Sequence, residues 1–243
     1  MDLSRRGIVK TGLCAAAASC AECRLHAKSR SALALAFADD TVPLHDRVFN
    51  EADRVFKNTQ HTKYQHKQFI DEATGTYYVD CSGFVGYVLT RMAKRHLALI
   101  PKEGFWPVPR AFKYYEYFAG LTTTATHGWR KLDRLDEARP GDIIAWQLSD
   151  DIRKDHDTGH VFIVAETLTS VGDQLFAVRA FDSAALRHYD DTRVNSDGVY
   201  HDGVGEGTFH LRVDADGKPT AFQFGPGDKF HEHPISIGHI LPL

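Results

Sequence analysis

Apolar side chains in the first half of the chain recur with the period of a helix. Over residues 43–56 they fall every three to four positions, which predicts an amphipathic helix beginning near Pro43. The same spacing predicts a second helix over residues 82–97 and a third over residues 110–118.

The second half carries short apolar runs separated by turn residues, a pattern typical of strands. Strands are expected at residues 142–148, 160–167, 174–181, 207–213, 219–224 and 234–241. Helices that precede a run of strands predict the α+β class, with the helices packed on an antiparallel sheet. Residues 39–243 are enough for a single domain with a full hydrophobic core.

Cys81 stands where an extended stretch, residues 76–79, gives way to the second helical pattern. The thiol would lie in the first turn, where unpaired N–H groups and the helix dipole favour a thiolate and can hold an oxyanion. The other three cysteines, Cys14, Cys20 and Cys23, fall near the start of the chain. A small buried hydrophobe is the common alternative for a free cysteine, but this position favours a nucleophile.

A histidine suited to act as the base, His160, follows Gly159 at the start of a predicted strand. One ring nitrogen can reach a thiol while the other takes an orienting partner. If the next strand is the antiparallel neighbour of this one, Asp182 at its end comes close to His160. Pairing of Asp182 with Arg179 or Arg187 is the alternative.

Three segments, DCSGFV, PGDIIAW and GHVFIV, occur in this order between residues 80 and 164. Together they resemble the NlpC-type cysteine peptidases of bacterial cell walls. The resemblance implies a papain-like core in which Cys81 is the nucleophile and His160 is the base. Asp182 takes the place of a third polar residue that is often histidine in the family. This chemistry needs no metal and no organic cofactor.

Part of the substrate site follows from the same resemblance. Tyr64 resembles the tyrosine that lines the family's site, and Asp80 and Ser82 match positions that meet the free amine of a short peptide stem in relatives. Trp106 stands among prolines in a stretch expected to be extended, which makes it a candidate for a substrate groove. The expected partner is a peptidoglycan stem peptide or a similar short peptide.

Residues 1–38 have the pattern of a twin-arginine-type export signal. Arg5 and Arg6 precede an alanine-rich run, and a small-residue cleavage site ends at Ala38. Cleavage there is favoured over lipid attachment at Cys20, because a large aliphatic residue is missing three places before that cysteine. The expected location is periplasmic or secreted, and no segment is apolar enough to span a membrane.

The net charge of the chain and the positions of its acidic and histidine residues limit which partners and metal ions it is expected to bind. The export signal carries six of the 29 basic and two of the 32 acidic residues, so the remainder has a net charge of −7, which argues against nucleic acid. The acidic stretch at residues 184–206 is expected to be a solvated loop flanking the cleft rather than a calcium site. His231 and His233, with His239, suggest zinc but lack a defined third ligand, so surface histidines are favoured.

The sequence therefore predicts an exported cysteine hydrolase that cleaves an amide bond through a thioester, with peptidoglycan stem peptides as the favoured substrate. An amidase or acyltransferase acting on a non-wall substrate uses the same chemistry and stays open. The alternative from another class is a non-catalytic wall-binding protein on the same scaffold. A redox or metal protein is disfavoured because one cysteine alone lies beyond the signal.

Overall fold

The computed structural model describes residues 41–153 and 157–243. The helices come early in the chain and are α1 (Leu44–Asn58), α2 (Cys81–Met92), the short α3 (Lys94–Leu97) and α4 (Ala111–Ala119). α1 buries one face, as its apolar period predicts.

A small sheet precedes α2. It consists of β1 (His61–Lys63), β2 (Phe69–Asp71) and β3 (Thr76–Tyr78), with β3 in the middle. β3 is parallel to β1 and antiparallel to β2. Because β3 ends shortly before α2, this sheet helps to fix where the helix begins.

The strands after α4 form one large antiparallel sheet. They are β4 (Trp129–Leu132), β5 (Ile143–Gln147), β6 (Gly159–Val164), β7 (Thr169–Gly172), β8 (Leu175–Ala184), β9 (Gly203–Val213), β10 (Pro219–Gln223) and β11 (Ile235–Ile240). Their order is β10-β9-β8-β6-β5-β11-β4, and β7 pairs with β8 outside this path. β6 therefore lies between β5 and β8, which brings the start of β6 near the end of β8.

Both faces of this sheet are covered. Successive side chains of a strand point to opposite faces, so β5 and β6 contribute to two clusters. Ile143 and Val161 pack with α1, α2 and α4 in one cluster. Ile144 and Phe162 pack in the other, which includes side chains of β8, β9 and β10. β5 and β6 are apolar almost throughout because neither face meets water.

The predicted α+β class is confirmed, with a mostly antiparallel sheet. The helix predicted over residues 82–97 is divided into α2 and α3 at Ala93, whose φ of −146° and ψ of 44° are not helical. The strands β1, β2, β4 and β7 are not predicted, because three or four residues are too few for an alternating pattern to show.

The predicted export signal, residues 1–38 with Cys20, lies outside the described residues. Val42–Leu243 form one compact unit. In the part of the chain that the structure covers, no helix is both long enough and apolar enough to cross a membrane.

Candidate active site

Cys81 is the first residue of α2 and is 4% exposed. Asp80 caps the helix: its Oδ1 accepts the Gly83 N–H at 2.7 Å, and its carbonyl accepts the Phe84 N–H at 2.9 Å. The N–H groups of Cys81 and Ser82 have no acceptor within the helix, because the first turn always lacks one. The thiol therefore lies beside two backbone donors at the positive end of the helix dipole.

The backbone that leads into α2 is held from two sides. The Val79 N–H donates to the Lys63 carbonyl at 3.1 Å, and the Val79 carbonyl accepts the Gln65 N–H at 3.3 Å. The same carbonyl accepts the hydroxyl of Ser183, at the end of β8, at 2.7 Å. The start of the helix is thus tied to the strand that also carries Asp182.

His160 lies on β6, opposite Trp146 of β5. Its Nε2 donates to Asp182 Oδ2 at 2.8 Å, which leaves Nδ1 for the thiol. Burial lowers the pKa of His160, but the negative charge of Cys81 and hydrogen bonds to Asp182 and Cys81 raise it, to a net value of about 9. At neutral pH the ring is therefore a cation beside the thiol.

Asp182 is fully buried and accepts three hydrogen bonds. Its Oδ2 accepts from Nε2 of His160 and Nε2 of His188, each at 2.8 Å, and its Oδ1 accepts from Arg193 Nη1 at 3.0 Å. Burial acts to raise the pKa of Asp182, but the charges of Arg193 and His188 and the two histidine hydrogen bonds hold it well below 3.8. The carboxylate therefore stays charged and orients His160.

The sequence left Arg179 and Arg187 as alternative partners of Asp182. Arg179 instead pairs with Glu206 at 3.0 Å and donates to the carbonyl of Asp190 at 2.7 Å. Arg187 is exposed. The structure thus brings Asp182 to the histidine and not to either of these arginines.

The loop between β8 and β9, residues 185–202, supplies three buried residues: His188, Asp191 and Arg193. The sequence had not singled out His188 or Arg193, and it had considered Asp191 only among the acidic residues of the rejected calcium site. Asp191 Oδ1 accepts from Arg193 Nε at 2.7 Å, and Asp191 Oδ2 accepts the backbone N–H of His188 at 2.8 Å. The expectation of a solvated loop is therefore wrong at these positions, which form a buried charged network behind the carboxylate.

Glycines on β9 make room for this loop. A Cβ at Gly205 would lie 2.6 Å from Arg193 Cγ, and a Cβ at Gly207 would lie 2.7 Å from His188 Cβ, both too close for a real contact. Glycine in a strand often marks the close approach of another backbone or side chain. The alternating glycines Gly203, Gly205 and Gly207 are a sequence signal that could have indicated a buried loop, but the expectation of a solvated loop did not take it into account.

The four substrate-binding candidates, Tyr64, Asp80, Ser82 and Trp106, line one cleft together with Cys81, here called the thiol cleft. Its volume of about 10 Å³ is close to that of a single water site, so the cleft is narrow. Burial, followed by the charges of Cys81 and Asp80, raises the pKa of Tyr64. The hydroxyl of Tyr64 is therefore a neutral donor at neutral pH.

His66 is a further residue of the thiol cleft that the sequence did not single out. Its Nδ1 lies 3.0 Å from Asp80 Oδ2, and this hydrogen bond raises the pKa of His66 although burial opposes it. Asp80 therefore caps α2 through Oδ1, which accepts the Gly83 N–H, and pairs with His66 through Oδ2. Both carboxylate oxygens of Asp80 are thus held in place.

In the part of the chain described, one group of three side chains has its ligand atoms within 4.8 Å of one another, as a metal site requires: His160, Asp182 and His188. Arg193 already donates to the same carboxylate at 3.0 Å. A metal ion would face this buried guanidinium, and the repulsion between the two cations opposes binding. The geometry favours hydrogen bonding over metal coordination.

The zinc ligands suggested near the C-terminus have other partners. His231 Nε2 lies 3.0 Å from Asp228 Oδ1. His239 is buried, with its Nδ1 2.6 Å from Asp142 Oδ1. His239 is therefore a core residue, and the expectation of a surface histidine is wrong there.

Gly159 fixes the position of the neighbouring His160 and gives a testable prediction. Its φ is 131°, and a Cβ there would lie 2.0 Å from the Trp146 carbonyl oxygen. Gly159→Ala is expected to separate the start of β6 from β5, to lower the free energy of unfolding by roughly 2–3 kcal/mol and to move His160 off the thiol. Urea unfolding and thiol alkylation measure the two effects.

Gly198→Ala is the matched control, because its φ is 77° and nothing lies within 4 Å of the added Cβ. Gly198→Ala introduces the strain of a positive φ, about 1–2 kcal/mol, but not the close contact that Gly159→Ala makes with the Trp146 carbonyl oxygen. Equal alkylation rates in the two variants would show that Gly159 does not position the histidine.

No family model, curated protein or solved structure matches this chain. What the site can do follows from its geometry: a thiol at a helix start, a histidine cation beside it and a buried carboxylate that holds the histidine. This arrangement suits attack on a carbonyl carbon followed by proton donation to the leaving group.

Proposed function

We propose that the protein is an exported cysteine hydrolase that cleaves an amide bond by a Cys-His-Asp mechanism on a papain-like core of the NlpC type. The observation that carries the proposal is Cys81 at the start of α2, beside a His160 whose Nε2 is held by the buried Asp182. The packing of α2 against β6 and β8 supports the papain-like comparison, because the thiol is on a helix and its partners are on the sheet.

In the proposed mechanism the Cys81 thiolate attacks the amide carbonyl, forming a C–S bond and a tetrahedral oxyanion. The N–H groups of Cys81 and Ser82 are suited to donate to that oxyanion. The His160 imidazolium gives its proton to the leaving nitrogen as the C–N bond breaks, which leaves a thioester. Neutral His160 then takes a proton from the attacking water, and Cys81 departs as the thiolate.

A peptidoglycan stem peptide is the substrate we favour. Tyr64, Asp80 and Ser82 surround the thiol, and the Asp80 carboxylate would pair with the free amine of a short peptide. An amidase or acyltransferase acting on a non-wall substrate would use the same Cys81 and His160. Preference for peptides with a free amino terminus over their N-acetylated forms distinguishes the first substrate class from the others.

The test of the proposal is the rate at which iodoacetamide alkylates Cys81 between about pH 5 and pH 9. Because the pKa of His160 is raised to about 9, its cation is present below that pH, and a cation beside Cys81 would favour the thiolate that the proposal requires. We expect rapid alkylation to persist well below pH 7. In His160→Ala the rate at pH 6 should fall by roughly tenfold or more, since an unassisted thiol ionises near pH 8.5.

His210→Ala is the matched control, because it removes a histidine whose ring stacks on Tyr189. Its alkylation rate should equal that of the unmodified protein at every pH. A Cys81 alkylation rate that rises only near pH 8.5 and does not depend on His160 would contradict the proposal. The chain would then be better explained as a binding protein on the same scaffold.

A further inference from the structure

A second cavity lies directly beside the thiol cleft, and it is called here the His160 cavity. Its volume is about 480 Å³, within the range of roughly 300–1,000 Å³ typical of small-molecule sites. Tyr64, His66 and Gly159 line both spaces. Cys81 lines only the thiol cleft and His160 lines only the cavity, so the catalytic pair spans the boundary between them.

The walls of the His160 cavity are mainly apolar. Trp146 stacks on Phe222 with ring centroids 3.8 Å apart, and Phe224 meets Trp146 edge-on at 5.7 Å. At the rim, Ile152 is 46% exposed and Leu186 is 54% exposed. An apolar ligand would cover these side chains and remove their surface from water.

Once His160 has given its proton to the leaving nitrogen, the other charged side chains that line this cavity do not suit an anion. His66 is paired with Asp80, and His231 is paired with a carboxylate of its own. Burial, followed by repulsion from His231, lowers the pKa of His233, so this ring is neutral at pH 7. Asp157, which is exposed, also lines the cavity and would repel a carboxylate.

The proposed chemistry indicates which side of the substrate the His160 cavity would hold. His160 hands its proton to the leaving nitrogen, so the amine side of the substrate departs along the histidine and towards the cavity. The acyl side stays bonded to Cys81 in the thiol cleft. Resting on the function proposed above, we infer that the His160 cavity binds the amine side of the scissile amide and selects an apolar or aromatic amine without a carboxylate.

An added amine tests this site, because it can attack the thioester in place of water. A C–N bond forms as the C–S bond breaks, the amine proton passes to neutral His160, and Cys81 is released as the thiolate. p-Nitrophenyl acetate is suited to forming the thioester, since an acetyl group is small enough for a narrow cleft. Release of p-nitrophenolate then reports acylation, and mass spectrometry reports which amine captures the acetyl group.

Phenylalaninamide is expected to capture roughly tenfold more acetyl group than glycinamide at equal concentration, because its ring is buried in the cavity. Lysinamide and phenylalanine, which bring a charge, should capture less than phenylalaninamide. Ile152→Ser combined with Leu186→Ser should reduce the ratio of phenylalaninamide to glycinamide products to about twofold. Val171→Ser on β7, at an equivalent 48% exposure, is the matched control and should leave the ratio unchanged.

The two proposals fail in different ways. Acylation that is absent, or that survives in Cys81→Ala, would overturn the proposed function. Acylation that depends on Cys81 but shows no preference for phenylalaninamide, or a preference for lysinamide or phenylalanine, would overturn the inference about the cavity and leave the hydrolase intact.

Discussion

Cys81→Ala is expected to abolish amide hydrolysis while the protein stays folded. The rate should fall by on the order of 10³ or more, because no other group can form the thioester. Cys81 is small and sits in a helix whose cap is made by Asp80, so the free energy of unfolding should change by less than about 2 kcal/mol. Stem-peptide cleavage followed by mass spectrometry and unfolding in urea measure the two quantities.

Cys81→Ser is the companion variant, since it keeps the shape of the side chain and replaces only the sulfur. A hydroxyl at this position stays protonated even beside the His160 cation, and we expect it to be as inactive as alanine. Hydrolysis in both variants within about tenfold of the unmodified protein would show that cleavage does not pass through the thiol.

Asp182→Asn should have the largest effect on stability of any single change at the site. The substitution leaves Arg193 with one carboxylate partner instead of two and turns an amide N–H towards either Arg193 or the two histidines, all of which are donors. Breaking a buried ion pair in this way costs roughly 3–5 kcal/mol. Hydrolysis should also slow, because His160 loses the acceptor that orients it.

The size and the pH dependence of this loss can both be checked by urea unfolding. Glu206→Gln on β9 is the matched control, because it removes a carboxylate from a partly exposed pair with Arg179 and should cost at most about 1 kcal/mol. The pKa of Asp182 is lowered, so the stability it contributes is present above about pH 4 and is lost as the pH falls towards its native pKa. Equal losses in the two variants at pH 7 would contradict the role of the buried network.

The positions of Cys81, His160 and Asp182 were accessible from the sequence because each depends on a local pattern. The period of the apolar residues marked the first turn of α2, and short apolar runs marked β6 and β8. Antiparallel pairing of two neighbouring strands then decided that Asp182 lies near His160. These inferences did not require knowledge of how segments far apart in the sequence pack against one another.

The network behind Asp182 was not accessible in the same way. Arg193 and Asp191 belong to a polar stretch, and composition alone does not distinguish a solvated ion pair from a buried one. Their burial depends on the glycine face of β9, which the loop can cover only after β8 and β9 have paired. The role of His66 likewise depends on a side-chain contact with Asp80 across the thiol cleft.

The hydrogen bond from Ser183 to the Val79 carbonyl joins positions 104 residues apart. Contacts of this range form late, because a long loop has to close before they are made. A chain that has completed α2 but not the large sheet therefore has Cys81 without the paired His160 and Asp182 that the sheet supplies. If the protein is the hydrolase proposed above, its activity is therefore expected only once the large sheet has formed.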